Sequence, residues 1–180
     1  MASDLLALTK IIMKKPCHRT IAIASDHAGY RLKEKIITFL ESKKEELAIS
    51  QIYDLGCDND SISVDYPDYA NKLANNIIES DNSEVKNSLS ASQNKENFGI
   101  LICGSGIGIS IAANRFKKIR AALCLNVKMA KLSRQHNNAN VLCLGARIIS
   151  EKTAISIVKS FITNKFLGDR HESRVRKLEQ

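Results

Sequence analysis

Phe98-Gly-Ile-Leu-Ile-Cys-Gly-Ser-Gly-Ile-Gly-Ile-Ser-Ile-Ala-Ala-Asn114 is the stretch from which the fold can be read. It opens with a short apolar run, Ile100-Leu-Ile102, of the kind buried on both faces of a parallel sheet. Gly104, Ser105, Gly106 and Gly108 follow, and they let the backbone turn sharply and approach a ligand closely. Ile107, Ile111 and Ala112 then recur at helical spacing. Strand, glycine loop and helix in that order aim backbone N–H groups at whatever sits above the loop. Cys103 stands at the hinge, where a helix start favours its thiolate and makes it a usable base or nucleophile. Taken alone, a cysteine ending a strand reads equally as a small core residue. The spacing Gly104-x-Gly106-x-Gly108 also departs from the GxGxxG of dinucleotide loops. By itself the loop indicates an anion or oxyanion held by backbone.

Working outward, Thr20-Ile-Ala-Ile-Ala24 is a first buried strand that delivers Ser25-Asp26-His27 to its C-terminal end. Ligands of open parallel sheets bind at that end. Asp26 has a second reading as the cap of the helix that follows Gly29. That helix carries Leu32, Ile36, Phe39 and Leu40 on one face. Ile49 to Leu55 is a second strand, leading into a polar loop from Gly56 to Asp68. Pro67 suits the first turn of a helix running to about Glu79, and Tyr66 beside it either covers a ligand or packs. From Ser80 to Asn97 the composition turns to Asn, Ser, Gln, Lys and Glu, which predicts a flexible surface insertion.

Beyond the central stretch, Arg120 to Cys124 is a further strand, and Val127 to Gln135 a helix ending in Ser133-Arg-Gln-His-Asn-Asn138. Val141-Leu-Cys-Leu144 is the fifth strand, followed by Gly145-Ala-Arg147. A helix from about Glu151 to Lys165 turns Ile155, Val158 and Phe161 inward. Gly168 to Arg176 forms a last helix in which Arg170 and Arg174 share a face. The alternation predicts an α/β fold, a doubly wound three-layer αβα sandwich on a five-stranded parallel sheet.

The chain has 180 residues, 44% of them hydrophobic, which is one domain with a normal core. No apolar run reaches the length of a membrane span. The net charge of +8 raises nucleic acid as a partner, but the lysines are dispersed, aromatic residues are 5%, and no nucleic-acid-binding motif is present. Five cysteines, an odd number with no zinc spacing, point to a reducing cytoplasm and to no metal site. Residues 1–19 read as an extension holding one short amphipathic helix, with its positive charges after the apolar stretch and so unlike an export signal. Residues 20–180 read as a single domain with the insertion at about 80–97.

In this order the pieces resemble the ribose-5-phosphate isomerase type B family, which includes galactose-6-phosphate isomerase subunits. The matching segments are Ser25-Asp-His-Ala-Gly29, Asp65-Tyr-Pro-Asp-Tyr-Ala70, Ile100 to Asn114, Leu132-Ser-Arg-Gln-His-Asn137, Asn140-Val-Leu142, Gly145-Ala-Arg147 and Arg170-His-x-x-Arg174. The resemblance implies a cytoplasmic aldose–ketose isomerase working without metal or organic cofactor. It would interconvert D-ribose 5-phosphate and D-ribulose 5-phosphate in the non-oxidative pentose phosphate pathway. It implies a homodimer, or a dimer of dimers, with active sites at the interface. Cys103 would be the base that moves a proton between C1 and C2, with the hydroxyl of Ser105 beside it. Gly104, Ser105, Gly106, Ile107 and Gly108 would hold the enediolate oxygens. His136 would open the furanose ring with Asn137 beside it, its other reading being a histidine that favours a helix C-terminus. Asp26, His27 and Tyr66 would contact the sugar. Arg147, Arg170 and Arg174 would hold the phosphate, some of them from the partner subunit, although Arg170 and Arg174 also read as a solvated face. A hexose phosphate isomerase and a silent nucleotide- or nucleic-acid-binding α/β domain are the rival functions.

Overall fold

The computed structural model describes residues 18–86 and 95–178. The amphipathic helix expected near the start of the chain lies outside them, as does the middle of the polar stretch. Five strands form in chain order: β1 (His18–Ser25), β2 (Ile49–Asp54), β3 (Lys95–Cys103), β4 (Ala121–Leu123) and β5 (Val141–Gly145). They pair in the order β2-β1-β3-β5-β4, every pair parallel. The helices are α1 (Tyr30–Ser42), α2 (Tyr66–Lys86), α3 (Ile107–Ala113), α4 (Val127–Asn137), α5 (Glu151–Thr163) and α6 (Glu172–Lys177), the last preceded by a 3₁₀ turn at Asp169–His171.

Strand periodicity divides the core in two. Ile21 and Ile23 of β1 point to one face, with Ile100 and Ile102 of β3, and meet Ile36 and Leu40 of α1 and Ile157, Val158 and Phe161 of α5. Ala22 and Ala24 point to the other face, with Leu101, and meet Leu73 and Ile77 of α2 and Ile109 of α3. Both faces are covered, so the three-layer α/β sandwich is the observed architecture, and the central strands need no polar alternation.

The sheet order also fixes where a ligand can sit. From β1 the chain moves outward to β2, while from β3 it moves to the other side, to β4 and β5. The adjacent C-terminal ends of β1 and β3 therefore border the crevice at which open parallel sheets take ligands. The Asp26 N–H donates to the Ile102 carbonyl at 3.1 Å and ties these two ends together.

α2, β3 and β1 depart from the sequence reading. α2 continues to Lys86 and β3 begins at Lys95, so both ends of the polar 80–97 stretch belong to regular elements. Asn, Ser and Glu are poor core residues but adequate on an exposed helix face. In α3 the buried residues are Ile109 and Ala113, whereas Ile107 and Ile111 are 55% and 61% exposed. His18 and Arg19, read as part of an extension, open β1. Among the described residues no helix is long and apolar enough to cross a membrane.

Candidate active site

The expected residues fall into two clusters at opposite ends of the sheet. The first lies at the β1/β3 crevice. Cys103, the last residue of β3, is 4% exposed, and its sulfur accepts the Gly106 N–H at 3.1 Å. The Ile107 N–H donates to the Ser105 hydroxyl at 3.3 Å, so two consecutive amides converge on the thiol and the serine. That turn requires φ +78° at Gly106, where a Cβ would also stand 2.8 Å from the Leu144 carbonyl carbon. α3 has only seven residues, so these local N–H groups, more than a long helix dipole, set the field at the sulfur.

Arg147 closes over the same loop. Its N–H donates to the Gly104 carbonyl at 2.9 Å, and the Ala146 N–H donates to that of Cys103 at 2.9 Å. The guanidinium lies against Gly104, with Nη1 3.5 Å from where a Cβ would project. A cation therefore stands beside the glycine loop. Across the crevice, Asp26 is buried and its Oδ1 accepts the Gly29 N–H at 3.0 Å. That bond closes the turn ahead of α1, whose N-cap is Gly29 and carries no side-chain cap, so Asp26 does not fill the capping role. His27 Nδ1 lies 3.2 Å from the Val64 N–H and 3.3 Å from the Val64 carbonyl, which ties the ring to the 56–68 loop. The half-exposed Tyr66 packs its phenol against Gly108, where any side chain would collide with it.

The second cluster lies at the other end. α4 starts beyond β4 and descends, so His136 and Asn137 arrive next to Val141, the first residue of β5. Cys103 is level with Gly145, the last residue of β5, so it stands roughly 13 Å along the sheet from Val141 at about 3.3 Å per residue. Arg170 and Arg174, both exposed, stand close to His171 in the C-terminal segment, and Arg174 shares a cleft with His136. His136, Asn137, His171, Arg174, Val175 and Leu178 line a cleft of ≈ 280 Å³. The three arginines expected to hold one phosphate are thus split, Arg147 with the cysteine and Arg170 and Arg174 with the histidine.

Two residues of this second cluster carry no role in the sequence reading. His171 is 7% exposed and stacks on His136, with ring centroids 4.2 Å apart and planes 8° from parallel. Burial, with His136, Arg170 and Arg174 close by, holds it below the usual histidine range, and Asp169 offsets this in part. Arg134 is 4% exposed and sandwiched between Phe98 and Phe161, at 4.7 and 5.7 Å from the ring centres. Burial brings its pKa down to about 10, against the pull of Glu96. Its Nη1 donates to the Asn138 side chain at 3.1 Å and the Ala139 carbonyl at 2.5 Å, clamping the end of α4 beneath His136.

Two further cysteines are shut in the core. Burial pushes the Cys124 thiol up to about 11 and that of Cys143 well above the usual thiol range. Both stay protonated and inert at neutral pH. No group of three or more histidine, cysteine or carboxylate side chains suited to a metal occurs among the described residues.

Known proteins share this arrangement over most of the chain. The structure superposes on a ribose 5-phosphate isomerase of Thermotoga maritima with TM-score 0.76 and 46% identity, covering 89% of this chain and 97% of that one. It superposes on ribose 5-phosphate isomerase B of Anaplasma phagocytophilum with TM-score 0.73 and 43% identity, covering 92% and 98%. A third match is ribose-5-phosphate isomerase B of Mycoplasma genitalium with bound ribulose-5-phosphate, at TM-score 0.76 and 38% identity over 89% and 94%. The ribose/galactose isomerase family matches residues 21–178, from the first buried strand to the end of the described chain, and takes in both clusters. On that span, this chain belongs to the ribose/galactose isomerase family.

Proposed function

We propose that this chain interconverts D-ribose 5-phosphate and D-ribulose 5-phosphate through an enediolate. The observation that carries the reading is the Cys103 sulfur at 3.1 Å from the Gly106 N–H, on a loop flanked by the Arg147 guanidinium. A base beside a carbon and fixed N–H dipoles beside an oxygen are what proton abstraction next to a carbonyl requires. Cys103 thiolate takes the C2 proton of the open aldose, the C–H electrons form the C1=C2 bond, and O1 is protonated. The O2 proton then leaves, C2=O forms, and the Cys103 thiol returns its proton to C1. Hydrogen moves only within the sugar and solvent, so the step calls for no redox partner. Asp26, His27, Tyr66, Ser105, Gly104, Gly106, Ile107 and Gly108 line the path of the sugar around that carbon.

His136, with Asn137, opens the furanose ring, and Arg170 and Arg174 hold the phosphate; these groups reach Cys103 from a second copy of the chain. The distance between the clusters supports this, since a five-carbon sugar phosphate cannot bridge them within one subunit. The exposed apolar residues Tyr66, Ile107, Ile111, Leu125, Met129 and Ile148 supply a surface for that copy around the crevice. The free, buried thiols of Cys57, Cys124 and Cys143 suit a reducing cytoplasm.

A coupled assay of the purified chain with ribose 5-phosphate, chelator present, tests the reading. Turnover by this chain alone is expected, with little on galactose 6-phosphate. No turnover of the pentose phosphate, or a strong preference for the hexose phosphate, would overturn it.

A further inference from the structure

His171 is a nearly buried imidazole in a segment whose neighbours Arg170, Glu172, Ser173 and Arg174 are all exposed. Its ring faces the ring of His136, nearly parallel at 4.2 Å. The stack sets the two ring planes against each other. The turn that carries His171 is docked on the same helix end. The Leu167 N–H donates to the Gln135 carbonyl at 3.0 Å, and the Gln135 amide donates to Asn164 at 3.4 Å. The backbone under His136 is thus clamped by Arg134 from one side and by the 164–171 segment from the other.

We propose that His171 is a positioning residue: it locks the ring plane of His136 so that the imidazole edge faces the cleft beside Arg174, oriented to open the cyclic sugar phosphate. The proposal rests on the reading of His136 as the ring-opening group. Opening a furanose removes the proton of the C1 hydroxyl, breaks the bond from C1 to the ring oxygen, forms C1=O and leaves a proton on the freed oxygen. An imidazole serves that exchange only while one nitrogen lies within hydrogen-bond reach of the hydroxyl or the ring oxygen. A histidine free about its outer torsion explores many ring orientations, and a stacked partner removes most of them. An orientational error of this size costs about 10- to 100-fold in rate. His171 is suited to the task because it remains uncharged. Burial, His136, Arg170 and Arg174 all oppose a second positive charge there, and only Asp169 favours one. At neutral pH no repulsion pushes the rings apart.

The two directions of the reaction separate this role from a structural one. Ribose 5-phosphate is cyclic and must be opened, whereas ribulose 5-phosphate, with its C5 oxygen esterified, has no hydroxyl placed to close a furanose. Exchange of the C1 hydrogen of ribulose 5-phosphate with deuterium from solvent therefore needs Cys103 and the loop but no ring opening. His171→Ala is expected to lower kcat for ribose 5-phosphate about 10- to 100-fold, with KM little changed and the exchange rate preserved. His171→Phe, which restores a flat stacking face, should recover most of the loss. Equal losses in turnover and exchange, no loss in either, or failure of phenylalanine to rescue would each overturn the proposal. His136→Ala retaining full turnover of ribose 5-phosphate would sink the underlying reading instead, and Cys103→Ala retaining exchange would sink the assignment of the base.

Discussion

The two ends of this sheet hold their functional groups by different means. At the C-terminal end, β1 and β3 are each buried on both faces, and Cys103 is the last residue of a strand that pairs on both sides. Its loop is held by backbone bonds to Gly106, Ala146 and Arg147 and by close backbone approaches at Gly106 and Gly145. At the other end, His136 ends a helix, and its surroundings are side chains: the stacked His171, the clamp of Arg134, and Arg170 and Arg174. A backbone-built loop is rigid and offers fixed N–H groups, which suits charge that develops on an oxygen. A side-chain cluster can be tuned and can move a proton, which suits ring opening. In the function proposed above, two copies of the chain join the two ends, each giving one.

Removing the base tests the first end most severely. Cys103→Ala is expected to lower turnover by about a thousandfold or more, the scale of a lost general base. Binding of a phosphorylated sugar acid that mimics the enediolate should remain nearly intact, as measured by calorimetry. Turnover near wild type would show that the loop holds no base at this position. The division between ends is tested by mixing. Cys103→Ala and His136→Ala are each weak on ribose 5-phosphate alone. Co-expressed and paired at random, they should restore about a quarter of wild-type activity, because half of randomly paired dimers are mixed and each mixed dimer has one intact site of two. No recovery in verified mixed dimers would place both groups in one subunit.

How far these ends were legible in the sequence follows from the same contrast. The strands were readable because burial on both faces leaves continuous apolar runs such as Ile100 to Ile102. The Cys103 loop was readable because backbone approach leaves glycines at fixed places. The buried stripe of α3 was not readable. Ile107 and Ile111 have helical spacing, but so do Ile109 and Ala113, and periodicity cannot say which of two apolar stripes meets the sheet. His171 lay inside the matching Arg170-His-x-x-Arg174 segment but had no role read for it, because Arg170, Glu172, Arg174 and Arg176 around it read as a solvated face. The stack with His136 joins segments distant in sequence, as does the sandwich of Arg134 between Phe98 and Phe161. The separation of His136 from Cys103 follows from the direction of α4, which order along the chain alone does not give.

The smallest effect concerns protonation at the second end. His171 is held below the usual histidine range in the fold, first by burial and then by His136, Arg170 and Arg174. In the unfolded chain it titrates near its ordinary value of about 6.5. Above that pH both states carry neutral His171, and its full contribution to stability is present. As pH falls, the unfolded chain takes up a proton that the folded chain resists, so the contribution declines until the folded group also titrates. Wild type should therefore lose thermal stability from about pH 7 to pH 5, relative to His171→Phe, which keeps the ring and cannot titrate. Paired carboxylates lose their contribution at lower pH. Glu46, held down to about 2 by Lys159 and Lys43, loses its own as pH falls from the ordinary carboxylate range toward that value, below the window. The difference in Tm between the two proteins, followed across pH 5 to 8, isolates His171 from them. Parallel curves would mean that the ring beside His136 is not held neutral by the fold, and the stack would then owe its geometry to packing alone.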